Sequence, residues 1–254
     1  SHKYIETGSK TSKFGLDSEA VNKISDEARD NKLVNITSVA CHIGSQISDE
    51  NLILKSLDVI SEIANNLSLN GHTIKFLDIG GGLGIQYKDE EEGDPGILMA
   101  GVKNRLEGKE YKIILEPGRS IIGTAGILVT RIEYIKNAGG KKFAIIDAGM
   151  NDLIRPSLYE AWHEVKELEN KEISSDTYDL AGPVCETGDI LAKDRNLKIL
   201  PNDFVAFMDV GAYGSVMSSN YNSRLKPMEL LVMDGEIEVI RRKETFEDLI
   251  ALES

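Results

Sequence analysis

The feature that most constrains this chain is a change of hydrophobic pattern near residue 122. Up to that point, short β-branched runs alternate with longer amphipathic ones. Beyond it the alternation stops, and strand-like runs rich in Val, Ile and Phe follow one another. Alternating β and α segments imply parallel strands covered by helices, whereas successive strands imply an antiparallel, mostly β unit. The expected architecture is therefore α/β over residues 1–122 and mostly β over residues 123–254.

In the first part, Lys13 to Leu16 is a short apolar stretch. Asp17 and Ser18 are good N-cap residues for a helical run to Lys32. Val34 to Ile43 reads as a strand. Ser48 is placed to cap an amphipathic helix over Asn51 to Leu69, in which Leu52, Ile53, Leu57, Ile60 and Ile63 fall near helical spacing. Ile74 to Ile79 reads as a second strand, Leu98 to Leu106 as a helical segment after the acidic stretch Lys88 to Asp94, and Lys112 to Leu115 as a further strand. That makes about four strands over residues 1–122. A complete eight-stranded α/β barrel takes ~250 residues, so the expectation is the C-terminal part of a (β/α)8, TIM-like barrel whose front lies outside this sequence.

In the second part, residues 125–136, 141–147 and 204–210 are strand-like. Glu229 to Val232 and Glu236 to Ile240 flank Asp234-Gly235, a hairpin signal. Helical periodicity is confined to Leu158 to Leu168. The expectation is a β-sandwich or β-barrel domain.

Three polar clusters each follow a strand of the first part: His42-Ile43-Gly44-Ser45, Gly80-Gly81-Gly82-Leu83-Gly84 and Glu116-Pro117-Gly118-Arg119. Loops at that end of the strands build the active sites of α/β barrels. Glycines let backbone N–H groups wrap an anion, so Gly80, Gly81 and Gly82 suit a phosphate; a tight turn without a ligand is the plainer alternative. The loop is not a P-loop, since no Gly-Lys-Ser/Thr follows, nor a dinucleotide fingerprint. Glu116 and Arg119 put an acid and a base on one turn. They form either a self-satisfied surface pair or a carboxylate that holds a proton on a heterocycle beside a guanidinium that binds carboxylate or phosphate. Arg155 with Tyr159, the thiol of Cys185 beside Glu186, and Tyr213 between two glycines are weaker signals of the same kind.

The net charge of −13 repels phosphate backbones, so nucleic acid is not an expected partner. No apolar run reaches the ~20 residues a membrane span needs, so no membrane partner is expected. Cys41 and Cys185 are isolated, which suggests no disulfide framework, no metal site and a reducing cytoplasm.

Taken in order, these motifs resemble the fold-type III decarboxylases that use pyridoxal 5'-phosphate, and within them the diaminopimelate branch. The matching residues are Thr7-Gly8, Ser12 to Gly15, His42 to Gln46, Asp78 to Gly82, Glu116 to Arg119, Asp147 to Met150, Arg155-Pro156, Leu158-Tyr159, Cys185 to Asp189, Gly211 to Gly214 and Ser219 to Arg224. The resemblance implies a barrel that binds the cofactor, followed by a β domain that contributes substrate and dimer-interface residues in a head-to-tail homodimer with shared active sites. It implies decarboxylation of meso-2,6-diaminopimelate to L-lysine and CO2.

The resemblance also implies roles for single residues. His42 would stack on the cofactor ring. Ser45, Gly80, Gly81, Gly82 and the Gly118-Arg119 backbone would hold its phosphate, with Tyr213 beside it. Glu116 would keep the ring nitrogen protonated. Arg119, Arg155 and Tyr159 would bind the substrate's far carboxylate, with Glu186 at the far amino group and Tyr213 also among the substrate-binding residues, and Cys185 would protonate the carbanion. The family's cofactor-anchoring lysine is expected in a segment preceding this chain, since Lys3, Lys10 and Lys13 lie in no matching motif. The alternatives are an ornithine- or arginine-type decarboxylase and a non-catalytic homologue or fragment that binds a partner. An alanine-racemase-like activity is disfavoured by the acid at Glu116.

Overall fold

The structure is a computed structural model that describes residues 13–31 and 33–253. Thr7-Gly8, Ser12, Lys3 and Lys10 lie outside the described residues, as does Lys32, the expected end of the first helix. The chain divides between Ile122 and Gly123 into two compact units.

The first unit begins with α1 (Ser18–Asp30), whose N-cap Asp17 accepts a hydrogen bond from the Ala20 N–H. A three-stranded parallel sheet follows in the order β1 (Ser38–Ala40), β2 (Phe76–Asp78), β3 (Lys112–Ile114). Between these strands run α2 (Glu50–Leu69) and α3 (Pro95–Arg105). Among the described residues there are three strands here rather than about four, and each is shorter than its apolar run. Only the central residues pair, because the flanking ones turn into the loops that carry the polar clusters.

The cap of α2 is Asp49, not Ser48: its carboxylate accepts from Asn51 N–H at 3.0 Å. The α3 helix starts with Asp94 as N-cap and Pro95 in its first turn, a pairing that satisfies orphan N–H groups and presets the backbone. One face of α2, with Ile53, Leu57, Ile60 and Ala64 at helical spacing, packs with Leu77, Ile79, Leu83, Leu98 and Val102. Each large side chain buried there contributes about 1.5–3 kcal/mol. Leu52, by contrast, faces solvent. The unit closes with the short α4 (Arg119–Ile122).

The second unit is built on β4 (Leu128–Ala138), β5 (Lys141–Ile146), β6 (Val165–Glu167), β7 (Asp176–Ala181), β8 (Ile190–Leu197) and β9 (Phe204–Phe207). They form one six-stranded sheet in the order β6-β9-β4-β5-β7-β8, in which only β5 and β7 run parallel. Its two edges approach one another: Lys198 N–H, just past β8, donates to the Glu167 carboxylate of β6 at 2.7 Å. The sheet is thus curled nearly closed, which leaves little unpaired edge. Phe207, Ile132, Ile146, Leu153, Leu180 and Leu191 fill its inside.

The helix expected over Leu158 to Leu168 is instead α5 (Arg155–Tyr159) followed by β6. Glu160 takes a left-handed conformation at φ 54° and ends the helix. The strands β7 and β8 carry charged residues and were not expected. The hairpin of β10 (Glu229–Met233) and β11 (Glu236–Arg241) turns on Asp234-Gly235, both at positive φ. The short α6 (Phe246–Leu249) ends the described fold with a capping box between Thr245 and Asp248.

Candidate active site

In the first unit the ends of the parallel strands bring the three polar clusters together. Cys41 N–H donates to Asp78 O, Ile47 N–H to Gly82 O, and Glu116 N–H to Gly80 O, at 2.8–2.9 Å. The glycines are there because nothing else fits. A Cβ at Gly81 would lie 2.2 Å from the Glu116 carbonyl oxygen, and one at Gly82 2.2 Å from the Gly44 carbonyl oxygen. Gly80 and Gly82 also sit at φ 66° and 99°, where a side chain is strained.

Around this loop, Gly81 N–H donates to His42 Nδ1 at 3.3 Å and Gly80 N–H to the Asp78 carboxylate at 2.8 Å. Arg119 is only 7% exposed. Its Nη1 donates to the Tyr87 hydroxyl at 2.6 Å and its Nη2 to Ser45 Oγ at 3.3 Å. A fixed guanidinium, a hydroxyl and a backbone loop with no room for side chains form a donor set for an anionic group. His42 and Glu116 line the same loops with exposed side chains. The Gly118 carbonyl accepts from Ile121 and Ile122, which starts α4.

The second unit holds the other expected residues. Cys185 and Glu186 lie exposed on the turn between β7 and β8. Asn222 Nδ2 donates to Cys185 Sγ at 3.2 Å, and the Tyr221 hydroxyl donates to the Glu186 carboxylate. That carboxylate holds the Tyr221 hydroxyl above the ordinary phenol range. The turn is fastened from below by Asp189, which accepts from Met150 N–H at 2.6 Å and Val184 N–H at 2.7 Å. Burial raises the Asp189 carboxyl despite those donors. Ser157 Oγ donates to Gly188 O at 2.7 Å, which ties α5 to the same turn.

Arg155 is 6% exposed, and its Nη1 lies 2.8 Å from His163 Nε2. Tyr159 is half-buried at the end of α5. Tyr213 is exposed in the turn after β9 at φ 61°. A separate cavity of about 770 Å³ is lined by Asp147, Asp152, Pro183, Arg224 and Lys243, among others. There Arg224 donates to Asn151 Oδ1 at 2.8 Å and Asp147 O at 2.5 Å.

Sequence reasoning missed Tyr87, His163, Tyr221 and Asn222 as site residues. Tyr221 and Asn222 lie in the Ser219 to Arg224 motif, where a local signal existed. Tyr87 lies in a segment without periodicity and His163 in one read as a helix, and only the fold brings each to an arginine.

Comparison with known proteins decides the family. Residues 18–211 match the family described as pyridoxal-dependent decarboxylase, C-terminal sheet domain. The chain belongs to this family. Among the relatives of this decarboxylase-family chain, the diaminopimelate decarboxylase of Pseudomonas aeruginosa is 43% identical over 253 residues, which cover 100% of this chain and 61% of the relative. That of Aquifex aeolicus is 44% identical over 251 residues, 98% of this chain and 60% of the relative. The crystal structure of diaminopimelate decarboxylase from Helicobacter pylori complexed with L-lysine superposes with a TM-score of 0.93 at 42% identity, covering 100% of this chain and 63% of that one. The chain therefore spans about 60% of the length of the relatives it matches. Among the described residues, no helix is long and apolar enough to cross a membrane, and no cluster of three His, Cys, Asp or Glu side chains is placed to hold a metal.

Proposed function

We propose that this chain is part of a diaminopimelate decarboxylase, a carboxy-lyase that converts meso-2,6-diaminopimelate to L-lysine and CO2 with pyridoxal 5'-phosphate. The observation that carries the reading is a match to named diaminopimelate decarboxylases over the whole of this chain at 43% identity. Residues 1–122 are read as the C-terminal portion of the cofactor-binding barrel, and residues 123–254 as the domain that contributes substrate and dimer-interface residues.

The first unit's donor set fits the cofactor. Ser45, the Gly80, Gly81 and Gly82 loop and the Gly118-Arg119 backbone would hold its phosphate, with Tyr213 assigned to the same group. His42 and Glu116 would hold the ring, Glu116 by keeping its nitrogen protonated. When bound, the cofactor supplies an electron sink for the pair left by the departing carboxyl.

The protein's own groups do the rest. Arg119, Arg155 and Tyr159 bind the far carboxylate, and Glu186 the far ammonium, which suits a zwitterionic end that must be recognised without reacting. One carbon–carbon bond breaks, CO2 leaves, and the carbon takes a proton, which we assign to the Cys185 thiol. By this reading Cys185 serves the neighbouring subunit of a homodimer with shared active sites. Two free cysteines and a biosynthetic role fit the cytoplasm.

The test is CO2 release by the full-length protein with cofactor, from meso-diaminopimelate and from ornithine. Release from the first and not the second is expected. Release from ornithine alone would point to a diamine-forming branch, and release from neither would overturn the reading.

A further inference from the structure

We propose that His163 is a positioning residue, which fixes the direction of the Arg155 guanidinium for the substrate's far carboxylate. The proposal rests on the reading of Arg155 as that carboxylate's ligand.

His163 is completely buried. Its Nε2 lies 2.8 Å from Arg155 Nη1 and its Nδ1 2.9 Å from the Met208 carbonyl oxygen. A guanidinium keeps its charge and has donors only, so His163 Nε2 must accept. A carbonyl oxygen only accepts, so Nδ1 must carry the proton and donate to Met208. Both ring nitrogens are thus committed, and the two contacts together set a neutral ring in one tautomer and one orientation.

The surroundings hold that ring in place. Met208 N–H donates back to Glu164 O at 2.9 Å, at the point where β6 and β9 begin to pair. Arg195 Nη2 donates to the His163 carbonyl at 3.1 Å, while its guanidinium sits 4.5 Å over the Trp162 ring. The segment 162–164 has no regular secondary structure, yet β8 and β9 fasten it on both sides.

The choice of partner matters for the chemistry. A carboxylate beside Arg155 would orient it equally well, but would spend its charge on the protein. A neutral acceptor fixes the guanidinium's direction without itself adding a counter-charge.

The discriminating ligands follow from the reaction. Loss of one carboxyl from diaminopimelate leaves lysine, which keeps the far amino-acid end. Cadaverine is lysine without that carboxyl. In full-length holoenzyme, His163→Phe keeps the ring's bulk and removes both hydrogen bonds. We expect it to weaken L-lysine inhibition by about tenfold or more, the scale of a hydrogen bond to a charged group, and to leave cadaverine inhibition within about twofold. The loss in kcat/KM for meso-diaminopimelate should appear mainly in KM. His163→Gln, which can still accept from Arg155, should recover part of the effect, and it carries the test if the Phe variant does not fold. Equal loss for both ligands, or no change for either, would overturn the proposal. Arg155→Gln separates the two levels: if it too leaves the lysine-to-cadaverine ratio unchanged, the reading of Arg155 itself is wrong.

Discussion

The glycine loop makes the sharpest stability prediction, because its neighbours are backbone and cannot swing away. Gly81→Ala places a Cβ 2.2 Å from the Glu116 carbonyl oxygen and 3.0 Å from its carbonyl carbon. Restoring an ordinary contact of about 3.4 Å requires the ends of β2 and β3 to part by about 1 Å, against the 2.8 Å hydrogen bond from Glu116 N–H to Gly80 O. Overpacking of this kind costs about 1–3 kcal/mol. At about 2–4 °C per kcal/mol for 150–250 residues, and less for a longer full-length protein, that corresponds to a fall in Tm of at most about 12 °C. The parting also misplaces the loop's N–H groups, so cofactor affinity should fall by about tenfold. The assay is thermal unfolding of the full-length protein without cofactor, then a cofactor titration followed by absorbance. Gly188→Ala is the stability control: its Cβ would meet nothing within 4 Å and it has no positive φ, so its Tm should be nearly unchanged. If the two variants unfold at the same temperature, the argument that backbone contact excludes a side chain at Gly81 is refuted.

Two further outcomes follow from capping and burial. Asp49→Ala removes the acceptor for Asn51 N–H and should cost about 1 kcal/mol in denaturant unfolding, whereas Ser48→Ala should cost almost nothing. Asp189 has its carboxyl raised by burial, so the folded state holds that proton more tightly than the unfolded chain. The stability it contributes is therefore largest at low pH and declines as pH rises from about 4 through the folded value. Asp189→Asn should be less stable by about 1–3 kcal/mol, with a gap to the parent that narrows over that pH range. A gap that widens as pH rises would show that the hydrogen bonds from Met150 and Val184 outweigh burial.

What the sequence made legible tracks how local the physics is. The α2 helix was readable because Ile53, Leu57 and Ile60 repeat at 3.6-residue spacing, and the β10–β11 hairpin because Asp234-Gly235 needs two positive φ angles. The cap of α2 was misplaced by one residue because Ser48 and Asp49 are both good caps, and only the geometry picks the acceptor. The strands β7 and β8 were missed because Asp176, Asp179, Lys193, Asp194 and Arg195 interrupt their apolar pattern. Asp179 is buried only because Lys141 of the paired strand and Asp194 N–H reach its carboxylate, which is a tertiary fact. His163 was invisible for the same reason: its value comes from Arg155 and Met208, which are distant from it in kind of structure and, for Met208, in sequence. The glycine loop and its neighbours were legible as a group because they recur at strand ends, a pattern visible without contacts.

The two units also differ in how far their loops can change, and this bears on how such a chain would acquire a substrate. In the first unit, Gly80, Gly81 and Gly82 each face backbone or His42 atoms at 2.2–2.8 Å, so any side chain there disturbs the strand ends themselves. A group held mainly by backbone N–H is recognised through geometry that substitution can break but hardly retune. In the second unit the turn from Pro183 to Gly188 exposes Pro183, Cys185, Glu186 and Thr187 while burying Val184, and one buried carboxylate, Asp189, fastens it from beneath. Cys185 and Glu186 can be exchanged there without moving backbone, while Asp189 cannot. Under the proposed function, most of the cofactor phosphate's contacts fall to the part that tolerates least change, and Glu186, at the substrate's far ammonium, to the part that tolerates more. Specificity for the far end of the substrate should then be alterable by substitutions at Glu186 that leave cofactor affinity intact. Substitutions at Gly80 to Gly82 should alter both together.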